Sequence, residues 1–276
     1  VRVVRCLNHA SLPEIRGVGM KAEKKNIWYT VAAVVVGGVF FVGAKQLTSG
    51  GIATAQRALT PTAEVEAMLE RFVANDPMYA ALAENFPTEW ATMRGELAAD
   101  VKSDISMGEL NARAHARSRA FMLERASATA SAPTSALVRL LAAEADFISQ
   151  LQRENVRYCA DFGMRGLQPG TQLSPAMMQK LSLAGRARVI ATRQGLDSPQ
   201  RRDPRTDGDW ALVGTTMEAN GVPEATLEAI GNPAAASPEV QCEGTVQFYR
   251  ALNELPPEQG AKLFGEITVE AAKTAR

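Results

Sequence analysis

Glu144 is the carboxylate of this chain best placed for chemistry: it falls inside an apolar helical stripe, between Leu141 and Ile148, with Asn155 further along. A carboxyl group buried in such a stripe has a raised pKa and could act as a general acid. The same spacing also fits an ion pair with an arginine, or a stripe that shifts onto Ala145. Other acidic residues are plentiful and show no pattern that singles out the two facing carboxylates of a glycosidase.

The remaining catalytic vocabulary is thin. His115 is the one histidine beyond His9, so a histidine metal site or a Ser-His-Asp triad has little to work with. Set among arginines, His115 reads as a solvated surface residue. There is no Gly-x-Ser-x-Gly, no Walker A loop and no His-Glu-x-x-His. Gly17-Val18-Gly19 precedes no strand–helix unit. The reading is no cofactor and no metal.

Cysteine offers a different chemistry. Cys6 lies in the N-terminal stretch and is given no role, nor is His9; Cys159 and Cys242 lie in the main body. If that body is exported, an oxidising compartment favours a Cys159–Cys242 disulfide; the alternative is two buried thiols. No Cys-x-x-Cys is present, which argues against a redox enzyme.

Charge is segregated although the total is zero. Residues 60–110 carry net −7, residues 111–205 net +8 and residues 206–276 net −7. The middle block is nearly all arginine, including Arg113, Arg117, Arg119, Arg125, Arg186, Arg188 and Arg193. Arginine suits bidentate pairing with carboxylates or phosphates. The plain expectation is that acidic helices pack around a basic centre. The functional one is a binding patch for anionic lipid headgroups or an acidic partner, with Arg201, Arg202 and Arg205 exposed in one loop. Nucleic acid is a poor partner for a chain with no overall basic excess.

The elements that must position these groups read as helices. Thr60-Pro61, Asp76-Pro77, Ser174-Pro175 and Ser237-Pro238 each place a capping side chain before a proline at the first helical position. Ser106-Met107-Gly108-Glu109 fits a capping box. Apolar residues then recur with helical spacing, as in Val65, Met68, Leu69, Phe72 and Val73. The pattern predicts helices over 61–74, 77–86, 88–104, 107–129, 134–162, 175–194, 209–220, 223–230, 238–254 and 257–273. Gly195 and Gly221 suit left-handed helix ends. Period-2 runs rich in Val, Ile, Thr and Tyr are nearly absent from the main body, which argues against a substantial sheet. The expected fold class is all-α.

Ile27–Ala44 sets the location. This run holds no charge and stands directly after Lys21, Lys24 and Lys25. As a helix it would span roughly 27 Å, close to the hydrocarbon thickness of a bilayer. The basic flank predicts a cytoplasmic N-terminus and export of the chain beyond the run. The expectation is therefore a single-pass protein of the inner membrane with its bulk in the periplasm or outside. Residues 1–26 are a cytoplasmic segment, 27–44 a transmembrane signal anchor, 45–59 a tether and 60–276 an exported multi-helix bundle. The competing reading is a cleaved signal peptide ending near Ala44 or Ala55. Met20 stands directly before the lysine block, which suggests that translation starts there and that residues 1–19 are a misassigned extension. Ala33-xxx-Gly37 could allow close helix approach in the membrane.

Together these features favour a non-enzymatic binding or scaffolding protein tethered to the bilayer, partnered by an envelope protein or an anionic lipid surface. The alternative is a cell-envelope hydrolase using a carboxylate general acid.

Overall fold

The computed structural model describes residues 73–274, apart from 104, 106, 168–170 and 233–235, together with helical Ala67 and Glu70. The N-terminal segment, the apolar run 27–44, the tether and the Thr60-Pro61 start all lie outside the described residues, as does Ser106 of the capping box. Among the described residues the fold is all-α, with no strand.

The helices are α1 Pro77–Asn85, α2 Pro87–Lys102, α3 Met107–Glu124, α4 Ala126–Ala130, α5 Thr134–Glu154 and α6 Val156–Arg165. They continue with α7 Pro175–Asp197, α8 Asp207–Ala219, α9 Glu224–Gly231, α10 Pro238–Glu254 and α11 Pro257–Thr274. None of them is long and apolar enough to cross a membrane.

Their starts follow from cap chemistry. Asp76 accepts from the backbone N–H groups of Met78 at 2.9 Å and Tyr79 at 3.2 Å, with Pro77 at the first helical position. Ser174 accepts from Met177 N–H at 3.2 Å at the head of α7, and Ser237 does the same for Val240 at the head of α10. Each bond satisfies a backbone donor that has no partner inside its own helix. At the end of α8, Gly221 takes φ +72°, a conformation that glycine adopts without a Cβ penalty.

Helix α5 is the central element. It packs against α6, α7, α10 and α11. Its inner face carries Leu137, Leu140, Leu141, Phe147, Ile148 and Leu151, all buried. Buried in the same cluster are Leu181 and Val189 of α7, Phe248 and Leu252 of α10, and Phe264 and Ile267 of α11. One continuous apolar cluster runs from Met78 to Ala271. Burying a Leu or Phe side chain contributes roughly 1.5–3 kcal/mol, so this cluster dominates the cohesion of the bundle. Helices α1, α2 and α3 pack in sequence along one side, and α8 and α9 pack on α10.

Three expected helix boundaries are corrected. The helix foreseen over 134–162 is two helices, because Asn155 is extended (φ −157°, ψ 99°) and its side chain caps α6 by accepting from Tyr158 N–H. The helix foreseen over 107–129 breaks at Arg125, where φ is −105° and ψ 11°. Gly195 does not end its helix; α7 continues to Asp197. A Cβ on Gly195 would sit 1.8 Å from the Ala128 carbonyl oxygen, so this glycine allows α7 to lie against α4.

Candidate functional site

Glu144 points into the middle of the bundle, where α5, α7 and α10 meet. Its Oε1 is ion-paired with Nη2 of Arg188 from α7, and its Oε2 accepts from the Tyr249 hydroxyl of α10 at 3.1 Å. Glu144 is 0%, Arg188 1% and Tyr249 1% exposed. Burial pushes the Glu144 carboxyl above its ordinary range, while the Arg188 charge and the two hydrogen bonds pull it back. Burial and the nearby carboxylate push the Tyr249 hydroxyl well up. The carboxyl group is closed off from solvent in this conformation. Its geometry is that of a structural ion pair, one of the environments the sequence allowed.

Helix α7 carries two more buried polar links. Ser182 donates to Asp76 Oδ1 at 2.6 Å and accepts from Met78 N–H at 3.1 Å. Thr192 and Thr129 share a hydroxyl–hydroxyl bond at 2.7 Å. Thus α7 is tied to α1 by Ser182, to α5 by Arg188 and to α4 by Thr192. Buried polar groups are costly unless paired, so these links favour one register of α7 over its neighbours.

The loop that holds Arg201, Arg202 and Arg205 does not present three outward cations. Arg201 is exposed. Arg202 turns inward and donates to the Ala130 carbonyl at 2.9 Å, the Ala132 carbonyl at 2.7 Å, Thr134 Oγ1 at 3.2 Å and Gln200 Oε1 at 3.1 Å. Arg205 pairs with Glu266 of α11, which also accepts from the Arg205 backbone N–H at 2.7 Å. Its guanidinium lies 5.6 Å from the Trp210 ring centroid, within cation–π range. Two of the three arginines therefore fasten the loop to the bundle. The carbonyls and the acid that hold them lie far off in sequence, so local pattern carried no sign of this.

The arginines of α3 meet the acidic helix before them. Asp100 of α2 pairs with both Arg113 and Arg117, and Arg117 also reaches Glu96 at 2.6 Å. Arg125 reaches Glu89 at 3.0 Å and lies 4.2 Å from the Phe121 ring centroid. His115, expected on the solvated surface, is instead buried at 9% exposure.

The two arginines hold the Asp100 carboxyl below the ordinary aspartate value of 3.8, Arg117 most strongly. Asp197 beside Arg193, Glu254 beside Asn220 and Arg250, and Asp209 beside Lys262 are lowered as well. A lowered folded pKa stabilises the fold fully above the unfolded value and loses that effect as pH falls through the folded value. The raised carboxyls of Glu144 and Asp76 work in the opposite sense. The expected result is a fold that weakens as pH falls below about 4, with Asp100→Asn flattening that acid limb. Urea unfolding at a series of pH values checks it.

Cys159 and Cys242 are joined by a disulfide that links α6 to α10, with Cα atoms 5.2 Å apart. Among the described residues no group of three or more His, Cys, Asp or Glu side chains could hold a metal ion. No family model matches the chain, and neither a curated protein nor a solved structure does.

Proposed function

We propose that this chain is a membrane-tethered helical protein of the cell envelope, whose exported bundle binds or scaffolds a partner rather than catalysing a reaction. The observation that carries the reading is the uncharged run Ile27–Ala44 behind Lys21, Lys24 and Lys25. The disulfide supports it, since such bridges persist in oxidising compartments. The enclosure of Glu144 supports the non-enzymatic half, because that carboxylate was the strongest candidate for an acid catalyst. The partner class is an acidic protein or an anionic lipid surface, with Arg201 the outward cation of its loop.

The test is crosslinking and affinity capture of the anchored full chain from membranes, with Glu144→Leu/Arg188→Met as the comparison. That double variant removes the carboxylate and its counter-charge together. Binding predicts the same captured partner from both chains. Loss of cellular effect in the double variant, with folding, anchoring and capture intact, would favour the hydrolase.

A further inference from the structure

Helix α6 is ten residues long, Val156–Arg165. It begins where Asn155 interrupts the helical path and ends at Gly166, whose φ of 77° and ψ of 175° is open to glycine and strained for other residues. A helix of this length is marginal in water without tertiary contacts. It packs on α10 and α5, and three of its contacts are especially close. Phe162 packs edge-on against Phe147 of α5, with ring centroids 5.2 Å apart. Gly163 lies so close to α10 that a Cβ there would be 2.0 Å from Thr245 Oγ1. The third contact is the Cys159–Cys242 bridge, which spans 83 residues of sequence.

Both cysteines are 0% exposed. With α6 seated on α10, a thiol reagent has no path to either sulfur. The bond must form before or during docking, and it can be attacked only after α6 lifts.

We propose that the Cys159–Cys242 bridge is a one-way redox latch on α6: oxidation closes it while α6 is undocked, and docking then shields it from reductants. The oxidant is a disulfide-bearing thiol oxidoreductase or a small disulfide. One protein thiolate attacks the oxidant disulfide, forming a mixed disulfide and releasing one oxidant thiol. The second protein thiolate then attacks the mixed disulfide at the protein sulfur, forming the bridge and releasing the second thiol. Two electrons pass to the oxidant, and the two cysteine protons pass through solvent to the two released oxidant thiolates, which leave as thiols. Without the bridge, α6 opens more often and uncovers Phe147 and Phe162. Helix α5 keeps its contacts with α7 and α11, because neither depends on the bridge. The latch rests on the burial and packing of α6 alone, whichever compartment the chain occupies.

Two measurements on the full chain test it. Oxidised protein is incubated with dithiothreitol, with and without urea, and free thiols are trapped by alkylation. Reduction is expected to be about 100-fold slower in native buffer, because it waits on opening of α6. Equal rates would overturn the shielding. Hydrogen exchange of Cys159→Ala/Cys242→Ala is then compared with the oxidised chain. Amides of α6 should lose protection by about 10-fold or more, while those of α5 and α11 keep theirs. Unchanged protection in α6 would overturn the latch. So would uniform loss across the bundle or failure of the variant to fold, since either would make the bridge a clamp on the whole fold.

Discussion

Replacing Glu144 by Gln should destabilise the bundle by about 3–5 kcal/mol, the range for removing one partner of a buried ion pair. The change leaves the Arg188 guanidinium charged at 1% exposure with its counter-charge gone. Arginine cannot escape by losing its proton. Glu144 can escape by gaining one, so Arg188→Met should cost less, and its cost should depend on pH. In that variant the carboxyl rises further above its ordinary range, because Arg188 no longer pulls it back. A raised folded pKa gives stability that is present at low pH and lost as pH rises through the folded value. Arg188→Met should therefore be more stable at pH near 5 than near 8, against the same shift in the parent chain. Glu144→Leu/Arg188→Met should recover most of the loss, since an apolar replacement of a buried pair is often neutral or better. What remains is the Tyr249 hydroxyl without its acceptor, worth about 1–3 kcal/mol, which Tyr249→Phe should relieve. Urea midpoints with unchanged slopes measure all four variants.

Gly195→Ala should also be strongly destabilising, although alanine is the better helix former. Intrinsic propensity favours the substitution by about 1 kcal/mol. The added Cβ, however, would lie 1.8 Å from Ala128 O and 2.7 Å from the Ala128 carbonyl carbon, which are backbone atoms of α4. Backbone cannot rotate away as a side-chain end can, so α4 and α7 must separate. Overpacking of this kind costs about 1–3 kcal/mol or more, and it takes the Thr129–Thr192 hydrogen bond with it. Gly95→Ala and Gly214→Ala are the controls. Both are helical, and nothing lies within 4 Å of either added Cβ. Each should stabilise by about 0.5–1 kcal/mol. A thermal series on the three variants gives the opposed signs directly.

These two sites also mark where the sequence was legible. Asp76-Pro77, Ser174-Pro175 and Ser237-Pro238 announce helices α1, α7 and α10 because a cap is a local device: the side chain and the donor it satisfies lie within three residues. Asn155 carried the same kind of signal but sat inside an apolar stripe that continues through it, and the stripe outweighed it. Gly195 had the composition of a helix end, yet its role is to admit a backbone more than sixty residues away, which no local pattern encodes. The Arg202 acceptors and the Arg205 partner are equally remote in sequence. Charge segregation showed that the arginines of α3 had acidic counterparts before them. It left open that Asp100 would serve both Arg113 and Arg117. Glu144 was visible as an acid in an apolar stripe, but its meaning depended on Arg188 and Tyr249, which only the packed bundle brings to it.

The proposed tether is tested most directly by topology reporters joined after residue 60 of the full chain, one active only in the cytoplasm and one active only outside it. Signal is expected from the outside reporter alone, retained in the membrane fraction. Placing two aspartates in the Val34–Val36 stretch should send the signal to the cytoplasmic reporter, because each charge at the centre of a membrane helix costs about 2.5–3.5 kcal/mol. Activity from the cytoplasmic reporter with the unaltered run would contradict the tether, the exported bundle and the envelope role together.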